Sequence, residues 1–123
     1  MPKDLIHLMH ALFLPPTETG EVGLLRPAVD VYRTRSGWLI KFELAGVRVE
    51  DIDLEVLSRR MTLRGVRRDL TTQEECRCFQ MEIAYSRFER SIELPCQLDR
   101  ADIATEYRDG MLLVRIQTEE NRP

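Results

Sequence analysis

A chain of 123 residues is the length of one domain, and 43% hydrophobic with 32% charged residues is the composition of a soluble globular protein that can bury a sizeable core. Eighteen basic against 21 acidic residues leave a net charge of −3, without the basic excess that non-specific nucleic-acid binding requires. No window approaches the ~20 apolar residues that cross a bilayer, and three cysteines do not make a disulfide framework, so a cytoplasmic protein without a membrane partner is expected.

Residues 4 to 14 predict a short amphipathic helix. Leu5, Leu8, Met9 and Leu12 follow the i, i+3, i+4, i+7 spacing, and Ile6 and Phe13 widen the stripe. Asp4, His7 and His10 interrupt the apolar run and no small-residue cleavage site follows, so it does not read as a secretory leader. Pro15-Pro16 stops the helix, and the polar stretch to Arg26, with Gly20 and Gly23, reads as a linker. Residues 1–26 are therefore expected to be an N-terminal helix and linker.

From Pro27 the apolar period changes from 3.6 to 2. Val29 and Val31 alternate with Asp30 and Tyr32; Trp38, Ile40, Phe42 and Leu44 alternate with Lys41 and Glu43. Ile52, Leu54 and Val56, then Met61, Leu63 and Gly65, continue the pattern. Phe88, Ile92 and Leu94 follow a break at Ser86, and Leu112, Val114 and Ile116 close the set. Turn residues at Ser36-Gly37, Ala45-Gly46, Ser58-Arg59, Pro95 and Asp109-Gly110 separate most of the runs. Each strand has one apolar face, so two sheets must close on each other: the expectation is an all-β antiparallel sandwich over residues 27–117, with a short tail, 118–123. The polar stretch 69–80, DLTTQEECRCFQ, breaks the rhythm as a long loop of the kind that often carries function. One residue is out of character. Arg90 shares the phase of Phe88, Ile92 and Leu94, so a guanidinium points where core residues point and needs a partner.

Catalysis has little to stand on. His7 and His10 are the only histidines, and no glycine-rich phosphate loop is present, so neither an enzyme nor a cofactor is expected. Asp4, His7 and His10 could share a helix face as a metal site or simply be a solvated polar face. Cys76 and Cys78 could be a redox or soft-metal pair, or ordinary loop cysteines; they are too close in sequence to bridge easily in an extended segment. Arg60, Arg64 and Arg68 recur every four residues, but no aromatics interleave for base stacking, which favours a solvated outer strand face.

Several stretches, in order, resemble the α-crystallin domain of small heat-shock proteins, the Hsp20 family. They are Pro27-Ala28-Val29-Asp30-Val31-Tyr32; Leu44-Ala45-Gly46-Val47 followed by Glu50-Asp51-Ile52; Leu63-Arg64-Gly65 with Arg67; Phe88-Glu89-Arg90 with Leu94-Pro95; and Tyr107-Arg108-Asp109-Gly110-Met111-Leu112. The likeness covers about three-quarters of the chain and implies an immunoglobulin-like sandwich. The sequence departs from the family pattern at Ser86, where glycine is usual, and at Ile83, where arginine often follows the glutamate matching Glu82. Thr105 replaces a frequent alanine, Gln117 replaces a proline, and the tail TEENRP lacks the isoleucine-x-isoleucine motif with which members build large assemblies.

The resemblance implies an ATP-independent holdase whose partners are partly unfolded proteins. It also implies a homodimer, or a small or mixed oligomer with another small heat-shock protein, in which the loop before the arginine strand crosses to the other subunit. Arg90 matches the family's interface arginine; Glu82, Glu74 and Glu75 are candidate carboxylate partners, and Phe79 lies on the same crossing loop. If Arg90 sits in a buried pair, its removal costs roughly 3–5 kcal/mol. An intrachain pair, or a rim position with the head in water, is the alternative. Candidate client contacts are Leu5, Ile6, Leu8, Met9, Leu12 and Phe13, a stripe that could instead pack on its own subunit or within an oligomer, and a groove lined by Leu54 and Val56 opposite the strand near Ile103–Tyr107. Two other classes stay open: a co-chaperone-type sandwich that docks on another chaperone, and a thiol- or metal-regulated binding protein.

Overall fold

The computed structural model describes residues 24–70 and 75–118. The expected N-terminal helix and its stripe, together with Glu74, lie outside the described residues. What is described is all-β: seven strands, β1 (Val29–Arg33), β2 (Gly37–Glu43), β3 (Ile52–Leu57), β4 (Arg60–Val66), β5 (Arg87–Glu93), β6 (Asp102–Arg108) and β7 (Met111–Gln117), with one 3₁₀ turn at Val49–Asp51. They form two antiparallel sheets, one ordered β1-β2-β7-β6 and the other β3-β4-β5.

Local chemistry sets the hairpins. Ser58 (φ 60°) starts the tight turn between β3 and β4; Asp109 (φ 54°) and Gly110 (φ 76°) make the two-residue turn between β6 and β7. Two successive positive-φ residues match the twist of the flanking strands, which is why Asp-Gly is a strong hairpin signal. Gly110 has a second constraint: a Cβ there would lie 2.9 Å from Ala45 Cα, and its carbonyl accepts from Leu44 N at 2.7 Å.

The inward phase of each strand forms the core: Ile40, Phe42 and Leu44 beneath Met61, Leu63 and Phe88, with Leu112, Val114 and Ile116 completing the layer. Each such side chain contributes about 1.5–3 kcal/mol by leaving water. Leu94, Cys96 and Leu98, on the connection from β5 to β6, plug one end. Between the sheets Gly65 is required by space, since a Cβ would overlap the Asp51 carbonyl oxygen and the Phe88 ring.

Sheets of four and three strands cannot cover each other fully. The difference falls on β1, an edge strand with only Val29 tucked inward. Val31, expected from its alternation to be a core residue, is 41% exposed, and Tyr32 is 44% exposed. The sandwich also has a strap. Leu25 makes a single parallel bridge to Phe88, with Leu25 N donating to the Arg87 carbonyl at 2.8 Å and Glu89 N donating to the Leu25 carbonyl at 2.9 Å. The chain therefore lies on the outer edge of β5 before it enters β1.

Candidate interaction surfaces

Arg90 has a partner in its own chain, and it is a backbone group. In β5 it pairs with Leu63 across the ladder, and its Nη1 donates to the Pro27 carbonyl at 3.1 Å. The contact locks the strap between Leu25 and β1 onto the edge of β5. Its Nε is buried without an acceptor among the described residues. One guanidinium face is thus used within the chain, while another donor stays unsatisfied where a buried donor is costly.

Of the sequence candidates for Arg90, Glu75 and Glu82 do not meet it within the chain, and Glu74 lies outside the described residues. Glu75 and Glu82 are exposed on the segment between β4 and β5, where Glu82 accepts from Gln80 Nε2. Phe79 is 99% exposed, and Ile83 and Leu70 are 62% and 57% exposed. An isolated aromatic almost wholly in water gains nothing in a lone subunit.

The base of that segment is tightly held. Arg67 N donates to the Ser86 carbonyl at 2.9 Å, and Arg67 Nη1 donates to the Ala84 carbonyl at 3.3 Å. Arg68 makes a two-point contact to Asp51 at 3.0 and 3.3 Å, in a pair mostly withdrawn from solvent. Beyond this base, no backbone hydrogen bond joins residues 75–83 to another described residue. A rooted arm whose backbone bonds no other described residue thus sits in the same chain as β1, which among the described residues pairs on one side only, with β2.

The other lateral edge is built differently. Tyr107 of β6 reaches the segment feeding β3: its hydroxyl lies 2.8 Å from the Leu44 carbonyl and 2.6 Å from that of Val47. Burial pushes the Tyr107 phenol above its ordinary range, and the charge of Arg67 pulls it back in part. This brings β3 and β6, each an edge strand, to the same side of the sandwich. Leu54 and Val56 are half-buried there with Ile103 and Tyr107, and Leu57 is 69% exposed.

Two arginines of the stripe meet acids, Arg64 on β4 and Arg68 at Asp51, and β4 ends at Val66, so Arg68 leaves the strand face. Arg64 Nε pairs with Glu89 at 2.8 Å and Arg64 Nη1 reaches Glu55 at 3.6 Å; the contact to Glu89 raises the arginine further above its usual range. Beneath it the Thr62 and Ser91 hydroxyls share a hydrogen bond at 2.9 Å. A face whose arginines alternate with carboxylates offers no phosphate-tracking stripe. Among the described residues no three metal-ligating side chains come together, and no helix is long and apolar enough to cross a membrane. His7 and His10 lie outside the described residues.

Comparison with known proteins bears on these surfaces. Residues 30–123 match the family described as "Hsp20/alpha crystallin family". The chain is 30% identical over 97 residues to a small heat shock protein C4 from Rickettsia felis, covering 79% of this chain and 60% of that one, so it spans less than two-thirds of that relative. It is 32% identical over 102 residues to an 18 kDa antigen 2 from Mycobacterium avium, covering 80% and 72% of the two chains. The solved structure of heat shock protein 16.0 from Schizosaccharomyces pombe superposes with a TM-score of 0.72 at 26% identity, over 80% of this chain and 92% of that one.

Proposed function

This chain belongs to the Hsp20/alpha crystallin family, and we propose that it acts as an ATP-independent holdase, assembled from dimers that exchange a strand. A partly unfolded protein exposes apolar surface and aggregates. A partner that covers this surface lowers the free concentration of the sticky species by mass action. The expected contacts are the apolar stripe Leu5, Ile6, Leu8, Met9, Leu12 and Phe13, and the groove lined by Leu54 and Val56. Leucine and methionine suit varied clients because they repack readily.

One observation carries the assembly half of the proposal: among the described residues, β1 pairs with β2 alone, and residues 75–83 make no backbone hydrogen bond. Two copies satisfy both at once when each lays its arm along the other's β1. Phe79 of one copy then covers Val31 and Tyr32 of the other. Arg90, with a donor to spare beside the strap, pairs with a carboxylate of the arriving arm, for which Glu74, Glu75 and Glu82 are the candidates. The mixed-oligomer reading concerns the groove. The groove is proposed to accept an isoleucine-x-isoleucine segment from a different small heat-shock protein.

The test is an aggregation assay on a heated model protein without nucleotide, run beside mass measurement by light scattering. Suppression by the full chain, and its loss on removing residues 1–23, is the expected result; that cut leaves Leu25 on β5. A full chain that leaves aggregation untouched overturns the holdase reading. A labelled peptide bearing the isoleucine-x-isoleucine motif tests the groove separately, and no binding at high concentration removes it.

A further inference from the structure

The arm carries chemistry that strand exchange does not use. Cys76 and Cys78 are both free and exposed, whereas the third thiol, Cys96, is buried in the core. The pair lies within residues 75–83, where no backbone hydrogen bond to another described residue fixes the conformation. In a paired strand, side chains two positions apart point the same way and stand about 6.6–6.8 Å apart along the chain. A disulfide needs its Cβ atoms about 3.5–4.5 Å apart. The two thiols therefore cannot join while the arm lies in a ladder, and they can join only when the backbone buckles at Arg77.

We infer that Cys76 and Cys78 form a modification site for hydroperoxides, and that their disulfide and the exchanged strand exclude each other. The inference rests on the strand-exchange reading above. One thiolate attacks the O–O bond, takes one oxygen to become a sulfenic acid, and releases the alcohol, or water when the oxidant is hydrogen peroxide. The second thiol attacks the sulfenic sulfur; its proton and the sulfenic hydroxyl leave as water. Two thiols and one hydroperoxide thus yield one disulfide, one alcohol and one water, with two electrons passing from the sulfurs to the peroxide. Oxidation catches the arm while it is undocked. The buckle then turns Phe79, one residue on, out of the register that the partner's β1 requires.

The experiment uses the full chain, reduced and then treated with tert-butyl hydroperoxide. In denaturant the titratable thiols should fall from three to one. Trypsin cleaves after Arg77, and the two peptides should stay joined until a reductant is added. Light scattering should show the reduced assembly falling to the 14.4 kDa monomer and returning with dithiothreitol. The double variant Cys76→Ser, Cys78→Ser should stay assembled under the same treatment. Three thiols remaining, a cystine that joins two chains or includes Cys96, or an intra-arm disulfide that leaves the mass unchanged overturns the switch while strand exchange stands. A reduced protein that is already a monomer overturns strand exchange itself, and the switch with it.

Discussion

The two lateral edges of the sandwich solve the same problem by opposite means. On the side of β1 and β5, the chain covers its own edge: Leu25 bridges to Phe88 and the Arg90 guanidinium clamps the Pro27 carbonyl. The cover stops there, leaving Val31 and Tyr32 of β1 in water. On the side of β3 and β6, no described residue lays a strap; the Tyr107 hydroxyl ties the sheets together from within, and the edge strands keep half-buried apolar residues. The first edge is partly covered by the chain's own backbone, and the proposed second copy would complete it. The second is pinned at Tyr107 and carries no further cover among the described residues. In the proposed function, the difference separates assembly from binding within one small domain.

Damage to the joint that both edges share should cost the most. Gly65 pairs with Ile52 of β3 and Phe88 of β5. Gly65→Ala forces a methyl against the Asp51 carbonyl and the Phe88 ring, and should cost about 1–3 kcal/mol or more by overpacking. Urea denaturation should show a lower midpoint, and hydrogen exchange should rise on both edges together.

Arg90→Ala addresses the strap alone. It removes a charge-assisted hydrogen bond worth about 1.5–3 kcal/mol. Exchange at the Leu25 and Glu89 amides should accelerate while the amides near Tyr107 keep their protection. The assembled mass should also fall. If melting temperature and mass both stay put, the arginine has neither role.

Tyr107→Phe addresses the other edge, with an expected loss of about 1–2 kcal/mol and faster exchange at Val47. It should also change the alkaline limb. Because the folded phenol titrates above its ordinary value of 10.0, the unfolded chain loses that proton first, so rising pH favours unfolding. The native protein should lose stability as pH climbs past that value, and the variant should lose less. Smallest of all is Arg64→Ala: its ion pairs with Glu89 and Glu55 are solvent-exposed, and the unfolding midpoint should stay within experimental error.

Much of this was legible in the sequence. Alternation located β2, β3, β4 and β7, and Asp-Gly marked the last hairpin. The strand β6 is weaker by alternation, because its inward phase reads Ile103, Thr105, Tyr107 and the middle position is polar and exposed. Val31 misled because alternation reports which face a residue occupies, while burial also needs a strand overhead, and β1 has none. The intrachain partner of Arg90 was illegible for a simpler reason. It is a main-chain carbonyl, which every residue carries, so no side-chain pattern advertises it. The bridge at Leu25 is a single residue joined to a site more than sixty positions away, and one isolated pairing leaves no period to detect.

The pairing of β2 with β7 has a kinetic consequence. Gly37 meets Gln117 across nearly the whole described chain, whereas β1–β2, β3–β4 and β6–β7 are hairpins that close locally. Hairpins form in about 1–10 μs, but distant pairings must first meet the entropy of closing a long loop. Until β7 arrives, the inward residues Ile40 and Phe42 have no neighbour strand on that side. A newly made chain therefore passes through a stage in which it displays the same kind of adhesive surface that the finished protein is proposed to shield.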